Sequence, residues 1–291
     1  MTNPASAAIT VLGLGPMGHA LASAFLTAEY RTTVWNRTPG KAAALTARGA
    51  AEADSPAKAV AAGDVVVCCL RDYQAVQAVL DQVDGDWATR VLINLTSGEP
   101  PQARRMADWA GDLGSAYLDG AILSPTPTIG TSAATILYSG PSATFDQIRE
   151  VVGALGGVPV YLGADPGRAS GYDVALLDVF ATSVHGIVHG FALASAEGIS
   201  AGELAPFAVG IGSLLPEMIT RFARQIDAGE YPGERSTIAS AQAGLRHVRN
   251  AARQHDLDVG ALTAALAAID QAIDRGHGDQ GLSRLVTVLR R

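Results

Sequence analysis

The sequence predicts an α/β protein in two parts: a doubly wound sheet in residues 1–165, then an all-α domain in residues 166–291, joined by a long interdomain helix. Three observations lead there. Short β-branched runs alternate with Ala-rich, helix-periodic segments in the first half; strand-like runs stop after Leu162; and one apolar segment is too long for a helix packed inside a small domain. A chain of 291 residues, 48% hydrophobic and 17% charged, is long enough for two cores.

In chain order, strands are predicted at 8–12, 32–35, 65–70, 91–95, 116–121, 135–139 and 158–162, with helices in most of the gaps, the pattern of crossovers in a parallel sheet. A helix over about 168–197 would extend about 45 Å. Being apolar on most sides it needs cover all round, and a second protomer is the simplest source, so a homodimer is expected. The apolar run 174–196 resembles a membrane span, but Asp178, His185 and His189 interrupt it, and a buried helix is expected instead.

A net charge of −7 argues against a nucleic acid or an anionic membrane as partner, since both demand a basic surface. The only cysteines, Cys68 and Cys69, are adjacent in a strand, so their side chains point to opposite faces and do not pair. With no secretory leader recognised, they suggest a reducing cytoplasm.

The strongest motif is Gly13-Leu14-Gly15-Pro16-Met17-Gly18, directly after a strand and directly before the helical run 19–26. In that position the first glycine permits a tight turn, the second lets backbone approach a pyrophosphate, and the third lets helix and strand pack closely; elsewhere it would be an ordinary glycine turn. A dinucleotide-binding, Rossmann-type domain follows. After the second strand an NAD-binding chain would place a carboxylate, but this one has Asn36-Arg37-Thr38, with Lys41 one turn on. Arg37 and Lys41 would meet a 2′-phosphate, with Asn36 and Thr38 adding hydrogen bonds, so NADP(H) is expected; the alternative is a solvated basic turn. Ligands in such sheets bind beyond the carboxyl ends of the strands: here Leu70-Arg71-Asp72, Asn94-Leu95-Thr96-Ser97 and Asp119-Gly120-Ala121. Leu70, Asn94 and Thr96 are expected at the cofactor, although Asn and Thr also suit plain turns.

These residues carry a family resemblance. Runs 11–18 and 34–39, with 93–96, 167–173, 225–231 and 276–278, are similar to the imine reductases and reductive aminases, relatives of the β-hydroxyacid and 6-phosphogluconate dehydrogenases; the similarity covers essentially the whole chain. It implies NADPH-dependent hydride transfer to the carbon of a C=N bond, giving an amine, with Asp173 as the catalytic residue, either donating a proton to the nitrogen or, ionised, holding the iminium in place. It also implies a domain-swapped homodimer whose intertwined helical domains complete each site. Where the dehydrogenases hold a lysine this chain has Asp173, and where they tend to have asparagine it has Leu177, which disfavours a hydroxyacid substrate. Where reductive aminases often carry tyrosine it has Ala181, which weakens the case for coupling free ketone and amine. The implied pocket comprises Ser97, Leu123, Leu177, Ala181, Ile211, Leu215, Ser240 and Ala241, and its apolar character suggests a hydrophobic cyclic imine.

Read without the resemblance, Ser170-Gly171-Tyr172-Asp173 fits a helix-start capping pattern, with Asp173 favoured by the helix dipole. Asp178 lies about 140° around the helix from Asp173, so the two would not act as a pair. His185 and His189 have the i, i+4 spacing of a metal pair but lack a third ligand, and no metal is expected. His277 is read as part of a turn. Two other functions stay open at this point: an NADP-dependent β-hydroxyacid dehydrogenase-like enzyme, and a non-catalytic NADP-binding dimerisation module.

Overall fold

The computed structural model describes residues 7–290. Eight strands, β1 (Ala8–Leu12), β2 (Arg31–Trp35), β3 (Ala51–Glu52), β4 (Val65–Cys68), β5 (Val91–Asn94), β6 (Ala116–Ile122), β7 (Ile136–Ser139) and β8 (Val160–Tyr161), form one sheet in the order β3-β2-β1-β4-β5-β6-β7-β8. Helices α1 (Pro16–Thr27), α2 (Ala43–Thr46), α3 (Pro56–Ala61), α4 (Tyr73–Leu80), α5 (Pro100–Asp112) and α6 (Ser142–Gly153) lie between the strands. After the sheet come α7 (Gly167–Ala196), α8 (Ala201–Gly212), α9 (Leu215–Ala228), α10 (Ile238–Gln254) and α11 (Gly260–Asp274).

The central strands read as continuous apolar runs because both faces of the sheet are covered. Val65 and Val67 enter one core with Ile9, Val11, Phe25 and Ile93, while Val66 and Cys68 enter the other with Leu12, Val76, Leu92 and Met106. The period of two along β4 thus serves both layers at once. Two features differ from the sequence reading. Strand β3 escaped it because both its residues are exposed and it is too short to show a pattern. Strand β7 runs antiparallel to β6; the loop between them contains Pro125 and Pro127 and only a single 3₁₀ turn, Thr126–Thr128, where a parallel partner would need a crossover. The Leu123 N–H donates to the Thr135 carbonyl at 2.9 Å and closes that loop on itself.

The chain divides into two compact units, Met1–Val179 and Phe180–Arg291. The division falls inside α7, beyond the boundary at 165 read from sequence. The second unit has a small core around Ile238, Ile269, Ala272 and Val288. The expectation that the long helix is buried is not met within a single chain. Phe180 is 67% exposed and Val188 63%, with Phe207, Val209 and Ile211 at 70% or more. Helix α7 is long and apolar enough to cross a membrane by length and composition alone.

Candidate active site

The glycine turn between β1 and α1 is shaped by two contacts. Gly13 has φ +99°, a backbone conformation that suits glycine, and a Cβ there would collide with the Cys69 carbonyl oxygen. A Cβ on Gly18 would collide with the Gly13 carbonyl oxygen, so the helix can start this close to the strand only without one. At Gly15 a Cβ would meet nothing within 4 Å, which leaves open space beside the helix N-terminus for a phosphate. Helix α1 begins with Pro16, has no acidic residue in its first turn and has no side-chain cap on Gly15, so first-turn N–H groups, Met17 and Gly18 among them, remain for a ligand.

Asn36, expected at the 2′-phosphate, makes one hydrogen bond within the protein through each amide atom, which leaves a second Nδ2 hydrogen for a ligand. Its Oδ1 accepts from Leu14 N at 2.9 Å and its Nδ2 donates to the Thr38 carbonyl at 2.9 Å, tying the glycine turn to the end of β2. Arg37, Thr38 and Lys41 are exposed, and among the described residues no ion pair involves Arg37 or Lys41. They are free to meet an anion. Replacing Arg37 with serine and Lys41 with alanine together is expected to raise the Kd for NADPH about 10²-fold and that for NADH less than two-fold, by fluorescence titration. An equal loss for both cofactors would remove the phosphate assignment.

The ends of β4 and β5 are joined by side chains rather than left as plain turns. The Leu70 N–H donates to Thr96 Oγ1 at 3.0 Å, and the Thr96 N–H donates to Asn94 Oδ1 at 3.1 Å. Asn94 Nδ2 is buried without a partner among the described residues, a donor a bound cofactor could take up.

Asp173 lies in the second turn of α7 and is buried, with 4% of its surface exposed. Burial raises its pKa, and the Ser97 hydroxyl beyond the end of β5 partly opposes the shift. The capping reading of this segment is overturned, because the helix begins at Gly167 and its first turn holds no acid. The Gly167 N–H donates to Asp165 Oδ1 at 3.0 Å and the Ala169 N–H to Ser139 Oγ at 2.9 Å, so other residues meet the free ends of the helix. A buried carboxyl of raised pKa, a hydroxyl beside it and a glycine turn at neighbouring strand ends can bind a dinucleotide and move a proton.

Comparison with known proteins agrees with that reading. Residues 8–163 match the family described as the NAD binding domain of 6-phosphogluconate dehydrogenase, and residues 165–291 match the NADPH-dependent reductive aminase-like C-terminal domain. An NADPH-dependent reductive aminase of Aspergillus oryzae is 34% identical over 281 residues, covering 96% of this chain and 95% of that one. The chain belongs to the imine reductase and reductive aminase family. Among solved structures of this family, a reductive aminase from Aspergillus terreus in complex with NADPH and ethyl levulinate is 34% identical with a TM-score of 0.93, covering 98% of this chain and all of that one. An imine reductase from Myxococcus stipitatus in complex with NADP+ is 31% identical, also at 0.93, over 97% of this chain and all of that one.

Of the remaining residues expected at the imine reductase pocket, Leu123, which follows β6, and Leu177, one turn beyond Asp173 on α7, are exposed, and Ala181 lies two turns beyond Asp173. In the helical unit Ile211 and Leu215 are exposed and Ala241 is half-buried. The Ser240 hydroxyl is occupied in capping α10, accepting from Thr237 N at 3.1 Å and donating to the Thr237 carbonyl at 2.8 Å. His185 and His189 stack at 6.2 Å, and His189 Nε2 lies 2.9 Å from the Asp258 carbonyl; among the described residues no group of His, Cys, Asp and Glu could hold a metal. His277 Nε2 receives a hydrogen bond from Arg284 at 3.0 Å. Burial raises the pKa of both cysteine thiols, that of Cys69 to about 11, as inert core groups require. The sequence reading passed over Asp119 as one more polar strand end. A carboxylate in the otherwise apolar run of β6 was the available signal, and the structure buries it completely.

Proposed function

We propose that this chain is an NADPH-dependent imine reductase, converting a hydrophobic cyclic imine or iminium to an amine. When bound, the cofactor supplies a hydride from C4 of its dihydronicotinamide to the imine carbon. The turn Gly13 to Gly18 would hold its pyrophosphate on the α1 N-terminus, Asn36, Arg37, Thr38 and Lys41 would hold its 2′-phosphate, and Leu70, Asn94 and Thr96 would line its nicotinamide half. The observation that carries the reading is the buried carboxyl of Asp173 beside Ser97, in a family in which the dehydrogenase relatives carry lysine there. Burial favours its neutral form, which supports a donor role for Asp173, giving its proton to the imine nitrogen as the carbon accepts hydride. A carboxyl in that place leaves a hydroxyacid's carboxylate without a cation, which argues against the dehydrogenase alternative.

Each active site is completed by a second copy. Helices α7, α8 and α9 leave many large apolar side chains exposed, Phe180, Val188, Phe207, Val209 and Ile211 among them, the kind of surface that marks an interaction site. In a domain-swapped homodimer it would be covered, with Ile211, Leu215, Ser240 and Ala241 of one copy lining the pocket beside Leu123, Leu177 and Ala181 of the other. Residues 1–165 then serve as the NADP-binding domain and 166–291 as the dimerisation and substrate domain, in a cytoplasmic enzyme. Full-length protein should sediment at twice the chain mass and oxidise NADPH in stopped flow with 1-pyrroline or 3,4-dihydroisoquinoline. NADPH binding without turnover of any imine would make the chain a binding module, and turnover of a β-hydroxyacid instead would make it a dehydrogenase.

A further inference from the structure

Asp119 stands near the middle of β6 with no exposed surface, and the chemistry above makes no use of it. Its Oδ1 accepts from the hydroxyls of Tyr73 and Tyr117, the latter at 3.0 Å. Its Oδ2 accepts from the Ser170 hydroxyl at 2.6 Å, and the Ser170 N–H also faces it. Three hydroxyls, from α4, β6 and α7, therefore converge on one carboxylate that has no lysine or arginine among its described partners. Burial pushes its pKa up to about 6, against the pull of those hydroxyls. A carboxylate without a cation is an expensive way to hold a fold together, so its presence asks for a use.

Asp165 and Ser139 receive the Gly167 and Ala169 N–H groups of the first turn, and Asp119 receives that of Ser170 together with its hydroxyl. What Asp119 holds is Ser170. That residue lies three positions before Asp173 and so on the same face of α7, one turn back. On the other side, β6 is paired in register with β5, where Asn94 stands opposite Asp119 and the chain continues to Ser97. One buried carboxylate thus links the strand that leads to Ser97 with the turn that carries Asp173.

We propose that Asp119 is a positioning residue for the reduction, holding the first turn of α7 through Ser170 so that the Asp173 carboxyl stays beside Ser97 at the strand ends. The inference rests on the reading of Asp173 as proton donor. An asparagine at 119 would turn one acceptor into a donor facing a hydroxyl hydrogen, and would break the arrangement without removing volume.

The test is a mutant cycle in the full-length protein with NADPH and 3,4-dihydroisoquinoline. Asp119→Asn and Ser170→Ala should each lower kcat about ten-fold, with the imine KM and the NADPH Kd within about two-fold, since a small misplacement of a reacting group costs rate rather than binding. In an Asp173→Ala background the same changes should cost less than about two-fold, because the group they position is gone. Equal losses in both backgrounds, or full kcat in both single variants, would overturn the proposal. Should Asp119→Asn fail to fold by thermal denaturation, Ser170→Ala, which removes a single hydroxyl, carries the comparison alone. Retention of kcat by Asp173→Ala itself would defeat the donor reading and not the link from Asp119 to α7.

Discussion

Asp173→Ala is expected to lower kcat for a cyclic imine about 10²- to 10³-fold while leaving the NADPH Kd within about two-fold, the loss typical of a removed general acid. The physical cause is local. Hydride addition leaves electron density on nitrogen, and a neutral carboxyl at hydrogen-bond range can neutralise it as it forms. The sign with pH follows from the structure: burial raises the pKa of Asp173, the donor is active only when protonated, and kcat should therefore fall as pH rises through the pKa of the complex. The opposite slope, with kcat falling as the solution is acidified, would mean that an ionised Asp173 anchors a preformed iminium. Asp173→Asn separates the same possibilities, since an amide keeps the shape and a hydrogen-bond donor but releases no proton at the pH of the assay.

Gly18→Ala carries the second large effect. Its new methyl would meet the Gly13 carbonyl oxygen, so α1 must move away from β1 and take its N-terminal N–H groups with it. The NADPH Kd should rise by at least about 10²-fold, and the midpoint of thermal unfolding should drop, since overpacking typically costs about 1–3 kcal/mol. Gly15→Ala provides the contrast. Nothing within 4 Å opposes its methyl, so stability should hold, whereas the space left for the pyrophosphate is filled and affinity should fall. Normal NADPH affinity in both variants would remove the glycine turn from the cofactor site.

Much of the first unit was legible from residue order. Strands β1, β4 and β5 were visible because β-branched residues recur in short runs, and α7 because thirty largely apolar residues pass without a proline. The exceptions have physical reasons. Two exposed residues show no periodicity, so β3 was missed, and β7 runs antiparallel because the loop before it, with Pro125, Pro127 and a single 3₁₀ turn, supplies no helical crossover. Asn36 shows the limit for side chains. Its position after β2 suits a phosphate ligand, but its amide also ties Leu14 to Thr38, a pairing that only the folded turn reveals.

Turn chemistry and hydrophobic period are short-range properties, so the amino-acid order by itself determined the layered α/β first half, the glycine turn and the run of helices that follows. Burial and pKa are sums over neighbours distant in sequence. Tertiary structure alone decided that Asp173 sits in the second turn of its helix as a buried acid instead of at a cap. It alone brought Tyr73 and Ser170, 46 and 51 residues away, to the carboxylate of Asp119. Low dielectric and convergent hydroxyls set this aspartate apart from an exposed one only when those distances close, and no local pattern encodes their closing.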